Sequence, residues 1–151
     1  MRQVTLAEVS KVLAEDFSSS YATDQEQANG ALLQRILEAI GAGRFDELRG
    51  WMAPDVSFEL AAGPRFPFIR HAEGVDAVIE AIAYNFSTVA EQMPQPLAVV
   101  AQGDTVMVMA REAGRLVESG ERYELLLAHQ FTFRDGRLAL SRSVSAETAA
   151  A

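Results

Sequence analysis

The stretch that decides the fold is Tyr123-Glu-Leu-Leu-Leu-Ala-His129-Gln-Phe-Thr-Phe133, followed by Arg134-Asp-Gly-Arg137 and then Leu138-Ala-Leu-Ser-Arg-Ser-Val144. Its first part alternates. Leu125, Leu127, His129, Phe131 and Phe133 share one face, and Glu124, Gln130, Thr132 and Arg134 fall on the other. A period of two marks a half-buried strand, because successive side chains point to opposite faces of a sheet. Asp135-Gly136 between two such runs predicts a type I′ turn, which needs positive φ at both central residues. The stretch therefore reads as a long central strand turning tightly into another. His129 is the one ionisable group on the apolar face, which makes it the first candidate for chemistry. Leu126 and Ala128 interrupt the polar face in mid-strand. That predicts a homodimer through the outer face of the sheet, since dimer faces are more apolar than ordinary surface.

Upstream, two further strands are predicted over Leu97–Ala101 and Thr105 to about Val117, with turns at Gly103-Asp104 and Ser119-Gly120. Before them, Val75, Val78, Ile79, Ile82, Phe86 and Val89 form one stripe of a helix predicted from about Glu73 to Gln92. Met93-Pro-Gln-Pro96 is expected to break it. Ala61 to His71 reads as a loop, rich in Gly63, Pro64 and Pro67 but also carrying Phe66 and Phe68. Val56, Phe58 and Leu60 alternate with Ser57 and Glu59 as a strand, and Arg44 to Met52 reads as a short helix. Thr23-Asp-Gln-Glu26 is a capping box opening a helix with Leu32, Leu33, Ile36, Leu37 and Ile40 on one face. Gly41 and Gly43 stop it. An earlier capping box, Thr5-Leu-Ala-Glu8, opens a short amphipathic helix that ends at Ser18-Ser-Ser20.

Helices and one strand come first, and four consecutive antiparallel strands come last. That segregation predicts an α+β fold, a curved antiparallel sheet with helices on its concave face and an extra N-terminal helix. The chain divides into residues 1–22 (N-terminal helix and serine hinge), a domain over 23–146, and an Ala-rich disordered tail over 147–151.

Composition narrows the chemistry. A chain of 151 residues suits one domain. With no cysteine, disulfides, thiolate nucleophiles and Cys-bound zinc are excluded, and two histidines cannot make a three-His metal site. No metal or cofactor is expected. A net charge of −8 argues against nucleic-acid and anionic-membrane partners. No apolar run approaches the ~20 residues that span a bilayer. Glu8, Glu15 and Asp16 interrupt the N-terminal stretch, so no secretory signal is read there and a cytoplasmic location is expected.

The element order resembles the SnoaL-like domains of the nuclear-transport-factor-two-like superfamily. The residues that carry the resemblance are Leu33-Gln-Arg-Ile-Leu-Glu-Ala-Ile-Gly-Ala-Gly-Arg-Phe-Asp-Glu-Leu48, Pro54-Asp-Val-Ser-Phe-Glu59, Gly74-Val-Asp-Ala-Val78 and His129-Gln-Phe-Thr-Phe-Arg-Asp-Gly-Arg-Leu138. The superfamily includes isomerases, cyclases, epoxide hydrolases and non-catalytic binders. The resemblance implies a cone-shaped cavity between sheet and helices, and commonly a dimer through the outer sheet face. When ketosteroid isomerase is laid over this chain, its oxyanion tyrosine falls on Ile36, its aspartate base on Leu60 and its protonated aspartate on His129. The base and the oxygen-facing proton donor that its enolising chemistry uses are therefore not carried over at those positions.

Ile36, Ile40, Phe58, Ile82, Phe86, Leu127 and Phe131 are the expected cavity walls, with Trp51, Leu60, Phe66 and His71 as further lining candidates. His129 is the candidate acid or base, to be weighed against a core histidine satisfied by backbone or water. Burial should keep it neutral with a depressed pKa. Glu59 is the carboxylate nearest the absent base, although alternation groups it with Ser57, opposite Phe58. His71 and Arg65 could receive an anionic group at the cavity mouth. Arg111 and Glu112 point to opposite faces, so at most one reaches the cavity, and Tyr84 lies on the wrong helical face. These residues point to a small, largely apolar ligand held in an internal cavity, without a defined activity. The alternative is a metal-independent isomerase, cyclase or lyase using His129.

Overall fold

The computed structural model describes residues 21–148. The expected N-terminal helix, most of the serine hinge and the last residues of the tail lie outside them. Thr23 caps the first helix, α1 (Asp24–Gly41), through the reciprocal bonds of a capping box. The Thr23 hydroxyl accepts from the Glu26 N–H at 3.1 Å, and the Glu26 carboxylate accepts from the Thr23 N–H at 3.0 Å. The other Glu26 oxygen accepts from the Gly103 N–H at 3.3 Å, and the Asn29 amide donates to the Gly103 carbonyl at 3.4 Å. The start of α1 is thus tied to a turn of the sheet. Leu32, Leu33, Ile36, Ala39 and Ile40 form its buried stripe. At the far end Gly43 takes the left-handed conformation, φ 72°, and donates to the Ile40 carbonyl at 3.0 Å.

A 3-10 helix (Phe45–Trp51) follows, then β1 (Met52–Ala61), β2 (His71–Glu73) and α2 (Val75–Ser87). The remainder is β3 (Val89–Gln102), β4 (Thr105–Leu116), β5 (Arg122–Arg134) and β6 (Arg137–Glu147). All six strands form one sheet in the order β2-β1-β6-β5-β4-β3. Every pairing is antiparallel except β1 with β6, which is parallel, so the sheet is mixed. Both helices pack on one face of this curved sheet. Their stripes meet Val56, Phe58, Val106, Val108, Phe133 and Leu138 in the main core. Among the described residues no helix is long and apolar enough to cross a membrane.

The Asp135-Gly136 turn forms as the sequence predicts. Arg134 pairs with Arg137, and Asp135 and Gly136 take φ of 53° and 72°. The third predicted helix is shorter than its stripe suggested. It ends at Ser87, and the chain enters β3 at Val89, running through Met93-Pro-Gln-Pro96 as strand. Two prolines are tolerated there because β3 is the edge of the sheet, where a missing N–H need not break a ladder. Register shifts between Ala90 and Met93, and between Pro96 and Ala98, make this edge strand irregular. The segment His71–Glu73, read as the end of a loop and the start of a helix, adds a short strand beside β1.

Candidate functional site

The concave face of the sheet and the two helices line an open cavity of about 220 Å³. For scale, an apolar cavity of about 150 Å³ accepts benzene. Strand alternation sets its floor. Val108, Ala110 and Glu112 of β4, and Leu125, Leu127, His129 and Phe131 of β5, all line it. The helices supply Ile36, Ile40, Ile82 and Phe86, and β1 supplies Phe58 and Leu60. Among the described lining residues there is no Arg or Lys.

Two ionisable groups stand at separate places on this floor. His129 Nδ1 lies 2.7 Å from the Ser143 hydroxyl on β6, the residue directly opposite it in the ladder. Its ring stacks on Phe131 with centroids 5.8 Å apart. Removal from bulk water, with no carboxylate to compensate, lowers its pKa from 6.5 to about 4. The imidazole is therefore neutral at pH 7, and one nitrogen is engaged by Ser143. If Nδ1 carries the proton it donates to Ser143 and Nε2 is a base; in the other tautomer Ser143 donates and Nε2–H is a donor. Ser141 and Ser145 line the cavity on either side of Ser143, and the Ser145 hydroxyl donates to the Ala61 carbonyl at 3.0 Å.

The second group is Glu112. The Tyr123 hydroxyl donates to one of its carboxylate oxygens at 2.7 Å, and the Gln92 amide approaches the other at 3.5 Å. Desolvation raises the Glu112 pKa, outweighing both hydrogen bonds, which act to lower it. Tyr123 reaches Glu112 by crossing β4 at Gly114, its ladder partner, where a Cβ would collide with the ring. Phe66 packs edge-on against Tyr123 with centroids 5.4 Å apart and stacks on Phe68 at 5.3 Å. Asn85 also lines the cavity, but its amide is spent on backbone. It accepts from the Ile69 N–H at 2.7 Å and donates to the Ile69 carbonyl at 3.0 Å, pinning the aromatic loop. Among the described residues no three of His, Cys, Asp or Glu converge so as to hold a metal ion.

Comparison with known proteins agrees with this architecture. The family model described as a SnoaL-like domain matches residues 33–141. The chain belongs to the SnoaL-like domain family. No curated protein matches the sequence. Among solved structures, a candidate SnoaL-like polyketide cyclase from Jannaschia sp. CCS1 superposes with a TM-score of 0.69 at 21% identity, covering 82% of this chain and 88% of that one. An NTF2-like protein from Burkholderia xenovorans LB400 gives 0.69 at 21% identity, covering 80% and 91%. An LEH-like epoxide hydrolase from M. tuberculosis gives 0.62 at 16% identity, covering 80% and 84%. At such identities the likeness is one of fold.

On this SnoaL-like frame, Ile36, Ile40, Phe58, Leu60, Ile82, Phe86, Leu127, His129 and Phe131 line the cavity. Five candidates are placed elsewhere. Glu59 lies on the outer face of β1, its carboxylate 2.6 Å from Arg142 Nε, because strict alternation holds through Phe58 and Leu60 with no bulge at that point. His71 is exposed next to it in the ladder, 3.6 Å from Glu73. Trp51 packs half-buried against the main core. Phe66 is buried in the smaller cluster around Tyr123 and backs the cavity without facing it. Arg65 is held by Glu121, Glu147 and the Arg122 carbonyl. Sequence reading did not select Glu112, although the parity of Val106, Val108 and Ala110 carries the signal.

Proposed function

We propose that this protein binds a small, largely apolar, uncharged molecule in the cavity and moves a proton on it with His129. The observation that carries the proposal is a neutral imidazole on an apolar floor, oriented by Ser143 at 2.7 Å. A general base needs a second group to orient it, and Ser143 supplies one; the tautomer whose Nδ1–H donates to Ser143 leaves Nε2 free as the base. The hydrocarbon walls favour an apolar body, and the absence of Arg and Lys among the described lining residues disfavours an anion. A base with a pKa of about 4 is weak, so the proton it takes must already be acidic, as on carbon next to a carbonyl, and acidic most of all between two. Isomerases, cyclases and lyases all use that step. The names of the structural relatives, which include a candidate isomerase and candidate polyketide cyclases, are compatible with it. The groups invoked belong to the chain itself and need no metal or cofactor.

The test is proton exchange. The protein is incubated in deuterated water with hydrophobic mono- and β-diketones, and loss of the α-proton signal is followed by NMR. Exchange above the buffer rate, abolished in His129→Ala and His129→Gln while both variants still bind, is the expected result. Binding of the same compounds without exchange would instead make this a sequestering protein, a reading favoured by the apolar residues at Ile36 and Leu60 where the isomerase has its reactive groups.

A further inference from the structure

The Glu112 end of the cavity is not used by the proton step at His129, yet it is built with care. Its carboxyl group is held by Tyr123, Tyr123 is admitted by the bare backbone of Gly114, and Phe66 braces the ring from behind. A carboxyl group on an apolar floor is costly unless it is neutral or paired, and none of the described lining residues is a cation. We infer that Glu112, steadied by Tyr123, is a second ligand-binding pole that donates a hydrogen bond to an uncharged oxygen, carbonyl or hydroxyl, at the end of the ligand remote from His129. The inference rests on the cavity being the ligand site and specifies what occupies it.

Register gives the spacing. Glu112 lies opposite Leu125 and His129 opposite Val108, so four residues of extended strand separate the two poles, about 13 Å of backbone. The floor between them is Ala110 and Leu127, hydrocarbon only, with the small side chain of Ala110 leaving room above it. The matching ligand is neutral and elongated, with an apolar middle and oxygen functions near both ends. Burial favours the protonated, hydrogen-bond-donating form of Glu112 and therefore acts in the same direction. An anionic end group would meet a carboxyl with no cation beside it.

The probes are linear diketones whose carbonyls lie on the order of 10 Å apart, the strand separation less the reach of the two side chains. Monoketones and carboxylates of equal length serve as controls, all measured by calorimetry on the wild-type chain. The diketone should bind about tenfold more tightly than the monoketone, the worth of one buried hydrogen bond, and the carboxylate more weakly than either. Glu112→Leu should bring the diketone-to-monoketone ratio to about one, and Glu112→Gln, whose amide can still donate, should keep most of it. A ratio unchanged in Glu112→Leu, or a carboxylate that binds as tightly as the diketone, overturns the inference. If ketones exchange protons at His129 but show no dependence on Glu112, this inference alone fails. If none of the ketones binds, the ligand-site reading falls with it.

Discussion

At the scale of single residues, the two ionisable groups on the cavity floor pull stability in opposite directions with pH. His129 has a folded pKa of about 4 against an ordinary 6.5. Between those values the unfolded chain binds a proton that the folded chain refuses. Its contribution is therefore full above about 6.5 and is lost as pH falls toward 4. Glu112 is shifted upward by burial, so the folded chain keeps a proton that the unfolded chain has released, and stability is lost as pH rises above the ordinary carboxylate range. Denaturant melts across pH should accordingly show an acid loss of stability that flattens in His129→Gln, and a loss on rising above the ordinary carboxylate range that flattens in Glu112→Gln. A direct check is the His129 ring-proton titration by NMR, with a midpoint near 4. A midpoint near 6.5 would remove the basis for a dry, neutral imidazole.

At the scale of elements, β4 holds its polar pole through a position with no side chain. Gly114 is buried opposite Tyr123, and the Tyr123 ring lies where a Cβ would stand. Gly114→Ala should push the ring away and break the 2.7 Å bond to Glu112. Overpacking of this kind costs about 1–3 kcal/mol. Tyr123→Phe, which deletes the hydroxyl but not the ring, should cost less, and the double variant should cost little more than Gly114→Ala alone, because the bond is lost once. Thermal melts of the three variants read this out; additive losses would mean that Gly114 and Tyr123 act independently.

At the scale of the whole molecule, the outer sheet face carries exposed apolar side chains. Ala98, Met109, Ala128 and Val144 form one cross-strand row through β3, β4, β5 and β6. Val100 and Met107 pair in the next row and are 60% and 42% exposed, and Val144 is 52% exposed. Beside them the row continues through Gln130 and Arg142 to Glu59, a polar border. A contiguous apolar patch rimmed by polar groups marks an interaction site. The prediction is a homodimer through this face. Light scattering at micromolar concentration should give twice the 16.4 kDa chain mass, and Met109→Glu with Val144→Glu should give a folded monomer. A wild-type monomer under those conditions would refute it.

The alternation of Leu125 to Phe133, the Asp135-Gly136 turn, the capping box at Thr23 and the stripe of α1 are local patterns, and together they determine the fold class and most of the cavity wall. What faces His129 is not local. A two-residue turn that pairs Arg134 with Arg137 and Phe133 with Leu138 would, continued without interruption, bring Arg142 opposite His129. A bulge at Ala139 shifts the ladder by one residue, so that Thr132 pairs with Leu140 and Ser143 comes to His129 instead. One residue of slip exchanges the two faces of a strand. It turns Ser141, Ser143 and Ser145 into the cavity and sends Arg142 out to Glu59 in water. The gain is a guanidinium that is not buried among hydrocarbon, at the expense of an exposed Val144. That exchange depends on β1, which joins β6 from more than eighty residues away. Sequence could therefore place His129 on the dry face, but only the assembled sheet could choose Ser143 as its partner.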